Sequence, residues 1–165
     1  DLQTPQELER LGQVALSRPR TTVVLFVAQV NELTVRALAL GRGLSPDDFH
    51  AVTIASDPER ALALQRTWEE MQIEVPLLVV DSPYREFTRP ATGYVRSLEP
   101  SSEHTVTVII PEFVVEHWWE NFLHNQNALR LKAALFGVPW VVVISIPFHI
   151  GVAAQAAVVD PPPTG

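Results

Sequence analysis

The chain has 165 residues, of which 47% are hydrophobic, and its formal net charge is −7 at pH 7. This length and composition predict a single folded domain with a proper core, and the lack of cysteine excludes disulfides and thiolate chemistry. The negative charge argues against nucleic acid as a main partner, because neutralising phosphates requires clustered Lys and Arg.

The first predicted element is a short helix. Thr4-Pro5-Gln6-Glu7 has the pattern of a helix start, with an N-cap, a proline at the first helical position and a glutamate that closes a capping box. We expect this helix to run to about Leu16, with a linker after it. Residues 1–20 are thus interpreted as a helix and a linker. Because the chain begins at Asp1 rather than Met, we interpret it as a fragment cut from a longer protein, with proteolytic maturation as the alternative. The apolar face of this helix carries Leu8, Leu11 and Ala15.

Two strand–helix units follow. Residues 21–30 are predicted as a buried strand, and residues 31–44 as a helix. The inner face of that helix is predicted to carry Leu33, Ala37, Leu40 and Leu44. Residues 49–55 form the second predicted strand, and Ser56-Asp57-Pro58-Glu59 has the pattern of a capping box. The helix that it opens carries Leu62, Leu64, Trp68 and Met71.

The second half of the chain contains three more predicted strands. Residues 76–80 form a short strand, and a weaker helix starts at Ser82 and is expected to kink or break at Pro90 and Gly93. Residues 105–110 are β-branched throughout, as in a strand buried on both faces of a parallel sheet. Pro111 lacks an N–H and is predicted to stop the ladder of that strand. The next helix should end near Gly137, and residues 140–146 form the fifth strand, closed by Pro147.

This alternation predicts an α/β domain over residues 21–150. We expect a five-stranded, mainly parallel sheet with helices on both faces, as in Rossmann-like folds. Residues 151–165 are rich in Ala and then in Pro, and are expected to form a flexible tail. In the alternative, Val158 and Val159 dock this tail on a partner subunit.

The motifs favour binding over catalysis. The chain has no Gly-x-Gly-x-x-Gly, no Walker A sequence and no Gly-x-Ser-x-Gly elbow, so we expect no enzyme activity. His117 and His124 are too far apart along the chain for the adjacent-turn pair that a zinc site commonly uses. Glu120 and His124 either share a ligand or pair with each other, and we predict no metal site.

Three candidate sites lie at predicted strand ends, where open α/β sheets bind ligands. In the first, Ala28, Gln29 and Asn31 join a strand to a helix whose first N–H groups can hold phosphate. The alternative is that Asn31 merely caps the helix. Ala55, at the end of the second strand, is included in this predicted nucleotide-binding set.

The second candidate site is the turn Ser82-Pro83-Tyr84-Arg85, which follows Asp81 at the end of the third strand. Here Ser82 supplies an N-cap hydroxyl, while Tyr84 can stack on a base and Arg85 can pair with a phosphate. The alternative is a capped helix with a surface arginine.

The third candidate site combines Pro111-Glu112-Phe113 with His124-Asn125-Gln126. Gln126 shares a helix face with apolar residues, so it would need hydrogen-bond partners if it were buried. Trp118 and Trp119 are adjacent, so we expect one in the core and the other in a dimer interface.

Several of these segments together resemble a known family. They are Ser82-Pro83-Tyr84-Arg85, Pro111-Glu112-Phe113-Val114-Val115, His117-Trp118-Trp119 and Leu123-His124-Asn125-Gln126, followed by Leu131 and Lys132. They resemble the cytosolic carboxyl-terminal domain of APC-superfamily permeases, and are most similar to those of KimA-type potassium importers. The resemblance implies a fold similar to universal stress proteins, a homodimer, and attachment to a membrane transport domain, which residues 1–20 would follow as a helix and linker. It also implies regulation by an adenine nucleotide, with cyclic di-AMP as the inhibitor of the importers.

Two hypotheses follow from the sequence. In the first, the chain is a non-enzymatic domain at the cytoplasmic face of a potassium or amino acid permease, which it dimerises and regulates by sensing a nucleotide. In the alternative, it is a free-standing protein similar to universal stress proteins that binds ATP or AMP, with weak or no hydrolase activity.

Overall fold

The computed structural model describes residues 4–82, 86–115 and 126–150. Helices and strands alternate along these ranges, as the sequence predicts. In chain order they are α1 (Pro5–Leu16), β1 (Arg20–Phe26), α2 (Glu32–Gly43), β2 (Asp48–Ala55), α3 (Pro58–Glu70), β3 (Leu77–Asp81), α4 (Thr88–Ser97), β4 (His104–Val115), α5 (Gln126–Phe136) and β5 (Val141–Ile150).

The strands form one five-stranded sheet in the order β3-β2-β1-β4-β5, and every neighbouring pair is parallel. The predicted α/β class with a parallel sheet is therefore confirmed. The chain builds outward from β1 to β3 and then crosses to the other side of β1 with β4. The carboxyl ends of β1 and β4 thus form a topological switch point, the place where such sheets bind ligands.

Both faces of the sheet are covered by helices. One face packs against buried side chains of α2 and α3, among them Ala37, Leu38, Leu64 and Trp68. The other packs against α4 and α5 through Ala91, Val95, Leu131 and Leu135. The central strands contribute to both clusters because their successive side chains point to opposite faces, which explains the near-continuous apolar sequence of β1 and β4.

The predicted inner face of α2 is only partly right. Leu33 and Ala37 are buried, but Leu40 and Leu44 are exposed. Gly41 is buried in their place, because the ring of Phe49 packs where a Cβ at position 41 would lie. The residues of α3 divide in the same way. Leu64 and Trp68 are buried, whereas Leu62 and Met71 are exposed.

Side-chain caps start the first three helices. Thr4 and Glu7 form the predicted capping box, in which the Thr4 N–H donates to Glu7 Oε2 at 2.7 Å. Asn31 caps α2. The cap of α3 is Asp57, which accepts the Glu59 N–H at 3.0 Å, so the expectation that Ser56 opens this helix is wrong.

β1 ends at Phe26, four residues before the predicted end of the strand. The chain turns into α2 at this point because Thr34 bonds back to the loop. Its hydroxyl donates to the Gln29 carbonyl at 2.7 Å, and its N–H donates to Asn31 Oδ1 at 2.9 Å. The β-branched run alone does not reveal this turn.

Pro111 lies inside β4, which continues to Val115. The Val106 N–H donates to the Trp140 carbonyl, next to β5. In β4, even-numbered residues therefore direct their backbone N–H and C=O groups toward β5, and odd-numbered residues direct theirs toward β1. The missing N–H of Pro111 therefore affects only the β1 side, where pairing ends at Leu25 and Ile109. The prediction that Pro111 ends strand pairing is therefore right for the pairing of β4 with β1 and wrong for the pairing of β4 with β5.

Pro147 likewise lies inside β5, which runs to Ile150, so the prediction that it closes the strand is wrong. By the same alternation, residue 147 directs its backbone nitrogen away from β4. In the described residues β5 has β4 as its one sheet neighbour, so Pro147 occupies an outward position on an edge strand, where proline is tolerated.

α4 begins at Thr88 rather than at Ser82, and it continues without a break to Ser97. Pro90 is the third residue of this helix. The N–H groups of the first turn have no intrahelical acceptor, so a proline there removes no helical bond. The predicted kink or break at Pro90 and Gly93 is therefore wrong.

Candidate functional site

The carboxyl edge of the sheet carries the candidate residues at the ends of β1, β2 and β3. Because all neighbouring strands are parallel, the ends of β1, β2 and β3 lie on the same edge. Ala55 pairs with Asp81 in register, and the Ser82 N–H donates to the Ala55 carbonyl at 2.8 Å. The first and second candidate sites are thus neighbouring parts of one surface.

The loop after β1 presents Ala28 and Gln29 to solvent. Asn31 is half-buried, and its Oδ1 accepts the Thr34 N–H, so Asn31 caps α2. Glu32, at the start of α2, forms an ion pair with Arg36 at 2.6 Å. Gln29 is the first exposed polar residue after the end of β1.

Ser82 is buried, and its hydroxyl donates to the Glu86 carbonyl. This hydrogen bond joins the residue that follows β3 to the segment that precedes α4. The expectation that Ser82 is the N-cap is wrong, because Phe87 occupies that position without a side-chain hydrogen bond. Pro83, Tyr84 and Arg85 lie outside the described residues.

The third candidate site is only partly described. Pro111, Glu112 and Phe113 were expected after the end of a strand, but they lie within β4, in the part that pairs with β5 beyond the end of β1. Gln126 is the first residue of α5. Trp118, Trp119, His124 and Asn125 lie outside the described residues.

An aromatic pair at this edge was missed in the sequence. The ring of Phe26, the last residue of β1, meets that of Phe87 edge to face, with centroids 5.8 Å apart. Phe26 is buried, and Phe87 precedes α4. The signal in the sequence is that Phe87 lies two residues after the Ser82-Pro83-Tyr84-Arg85 segment, which the alternation of elements predicts at the carboxyl edge.

The opposite, amino edge carries charged and titratable groups. Asp47 Oδ2 accepts the Thr21 N–H at 2.7 Å, and this bond holds the pKa of Asp47 below its ordinary value. His50 Nε2 is hydrogen-bonded to the Tyr94 hydroxyl, and burial lowers the pKa of His50 while it raises that of Tyr94. Asp48 partly opposes the effect of burial on His50.

We expect the free energy of unfolding to decrease as the pH falls from about 7.5 to about 5. The ordinary pKa of His50 is 6.5 and its folded pKa is lower, so below pH 6.5 the unfolded chain takes up the proton more readily. Urea unfolding curves of the unsubstituted chain and of His50→Gln, recorded across this range, test the assignment. The variant should lose stability less steeply with acid, and parallel pH profiles would contradict the role of His50.

In residues 4–82, 86–115 and 126–150, no group of three or more His, Asp or Glu side chains is arranged to hold a metal ion. Over the same part of the chain, no helix is long and apolar enough to cross a membrane.

Comparison with known proteins places this sheet in a family. Residues 18–148 match the profile of the KimA potassium transporter C-terminal domain. The chain belongs to this family. It is also similar to the potassium transporter KimA of Bacillus subtilis (strain 168), with 29% identity over 132 residues. That match covers 78% of the chain but 22% of the relative, so the chain spans about a fifth of the relative's length. The predicted resemblance to KimA-type carboxyl-terminal domains is confirmed.

Proposed function

We propose that the chain is a non-enzymatic regulatory domain of a potassium-transporting membrane protein and lies on the cytoplasmic side of the membrane. The family match carries this proposal, since it runs from residue 18 to residue 148 and so takes in the sheet almost completely. The relative is a potassium transporter several times longer than the matched region. We therefore assign transport to another part of a longer polypeptide, and we assign the control of transport to this domain.

The proposed regulatory ligand is an adenine nucleotide, with cyclic di-AMP as the inhibitor. We place it at the switch point between β1 and β4, where Ala28 and Gln29 are exposed and the β1 ladder ends beside Pro111. The first-turn N–H groups of α2 can interact with a phosphate there. The carboxylate of Glu32 is partly neutralised by Arg36. The other proposed contributors are Asn31, Ala55, Ser82, Pro83, Tyr84, Arg85, Glu112, Phe113, His124, Asn125 and Gln126.

The domain is also proposed to form a homodimer through β5. Among the described strands β5 lies at the edge of the sheet, and Val141 and Val143 direct their backbone groups away from β4. Trp140 and Val142 are about half exposed at its amino-terminal end. An open apolar edge is a template for pairing, and a two-fold axis would join two β5 strands in antiparallel fashion. Trp118 and Trp119 are proposed to contribute to the same contact.

Titration calorimetry with cyclic di-AMP, AMP and ATP tests the nucleotide site. We expect cyclic di-AMP to bind the unsubstituted chain, and Gln29→Glu to weaken binding by about tenfold or more, because it places a carboxylate beside the bound phosphates. Gln29 is exposed, so the variant should remain folded.

The matched control for this titration is Gln72→Glu. Gln72 is exposed and precedes β3, so the same charge is added at the opposite edge of the sheet. Binding by this variant should be unchanged. No heat and no thermal shift at about a millimolar ligand would contradict nucleotide sensing, since a bound ligand must stabilise the folded state. Equal weakening by the two variants would contradict the position of the site.

A further inference from the structure

α1 has an apolar stripe that the rest of the described chain does not cover. Leu8 and Leu11 are three residues apart and so lie on one face of the helix, where they are 55% and 51% exposed. The opposite face carries polar residues such as Glu9 and Gln13. No other described helix or strand packs extensively against α1.

A helix of this length needs a packing partner. α1 has 12 residues, and isolated helices shorter than about 12–15 residues are marginal in water. Helices in folded proteins are stabilised mainly by packing of their apolar face. The capping box of Thr4 and Glu7 fixes where α1 begins, but it covers neither leucine. The stripe therefore indicates a docking surface.

Ion pairs connect the segment after α1 to the turn before β2 and to the first residue of β2. Arg18 lies 3.6 Å from the Asp47 carboxylate, and Arg20 forms an ion pair with Asp48. Asp47 also accepts the Thr21 N–H at 2.7 Å. These contacts hold the exit of α1 at the amino edge of the sheet, away from the proposed nucleotide site.

Three kinds of occupant can be compared for this stripe. Glu7 and Glu9 outnumber Arg10 on the described helix, and this charge disfavours an anionic lipid surface. A second copy of the stripe would supply only two more leucines, far less than the roughly 1,200 Å² that stable protein interfaces bury. A segment of the same polypeptide needs no such area, because tethering gives it a high effective concentration.

We infer that Leu8 and Leu11 dock α1 on an apolar surface of the transport portion of the same polypeptide. This inference rests on the proposed function. The matched family is a C-terminal domain and the matched region is 22% of the relative, so most of the relative lies on the amino-terminal side, from which α1 enters β1. Docking there connects the transport portion to the sheet through the Arg18 and Arg20 contacts.

Thiol labelling in the membrane-embedded, full-length protein tests this docking. The chain has no cysteine, so Leu11→Cys adds the first thiol to this domain, and Gln13→Cys adds one to the polar face of the same helix. The protein without an added cysteine supplies the background. We expect a water-soluble maleimide to label Leu11→Cys at least about tenfold more slowly than Gln13→Cys. Equal rates would overturn the inference. Leu8→Cys repeats the measurement if Leu11→Cys does not fold.

Docking of the stripe on a second copy of the chain, or on lipid, would give different labelling results. A disulfide between two Leu11→Cys copies would assign the stripe to a second copy and overturn the inference. Protection that disappears when the protein is extracted into detergent would assign it to lipid, with the same consequence. Labelling does not depend on a nucleotide, so failure of the docking and failure of nucleotide regulation are distinguishable.

Discussion

Replacing Leu64 by alanine is expected to lower the free energy of unfolding by about 2–5 kcal/mol. Leu64 is 6% exposed and packs in the cluster that contains Trp68 and the central strand β1. The loss combines the transfer free energy of the removed methyl groups with the cavity that remains. Domains of this size have roughly 5–15 kcal/mol of stability, so the loss should be a large fraction of the total and should lower the urea midpoint clearly. Urea denaturation followed by circular dichroism measures the change.

Leu62→Ala is the matched control on the same helix. Leu62 is 49% exposed, and it is two residues from Leu64, which corresponds to about 200° around the helix. We expect its truncation to change stability by no more than about 0.5 kcal/mol. Similar losses for the two variants would contradict the described orientation of α3 on the sheet.

Val142→Lys is expected to weaken the proposed homodimer by about a hundredfold or more, or about 2.7 kcal/mol. A lysine on an edge strand opposes pairing with another edge, and the two-fold axis would bring two such charges close together. Val142 is 47% exposed, so the folded monomer should tolerate the lysine. Sedimentation velocity over a range of concentrations gives the dimer affinity.

Val35→Lys is the corresponding control, because Val35 has the same 47% exposure but lies on α2. This variant should dimerise as the unsubstituted chain does. A monomeric unsubstituted chain at high concentration, or a Val142→Lys variant that still dimerises fully, would contradict pairing through β5.

The order of helices and strands could be predicted because each strand has a strong local signature. The β-branched composition of β4 and the capping residues of α1 act within a few residues of themselves. The alternation of strands and helices predicts a parallel sheet. In such a sheet the carboxyl ends of the strands share one edge, so Ala28, Ala55 and Ser82 are expected there. This part of the candidate site was therefore accessible from the sequence.

The effects of the prolines could not be predicted in the same way. Whether Pro111 or Pro147 ends a strand depends on which neighbour its missing N–H would face. That direction is set by the register of β4 against β5, which is a contact between residues far apart in the chain. The role of Ser82 was missed for a similar reason, since its hydroxyl bonds to Glu86 rather than to the helix.

The inner faces of the helices show a further limit of local patterns. Periodicity placed Ala37 and Leu40 together on the inner face of α2, because an apolar run does not say which side of a helix meets the sheet. The deciding contact is the ring of Phe49 against Gly41, which brings that side of the helix close to β2. Leu40 is left exposed as a result, whereas Ala37 is buried.

Potassium uptake by the full-length protein in the presence of cyclic di-AMP tests the central claim most directly. We predict that the nucleotide inhibits uptake by the unsubstituted protein and by Gln72→Glu, and that Gln29→Glu requires about tenfold more nucleotide for the same inhibition. Uptake that is insensitive to cyclic di-AMP in the unsubstituted protein would contradict a regulatory role for this domain.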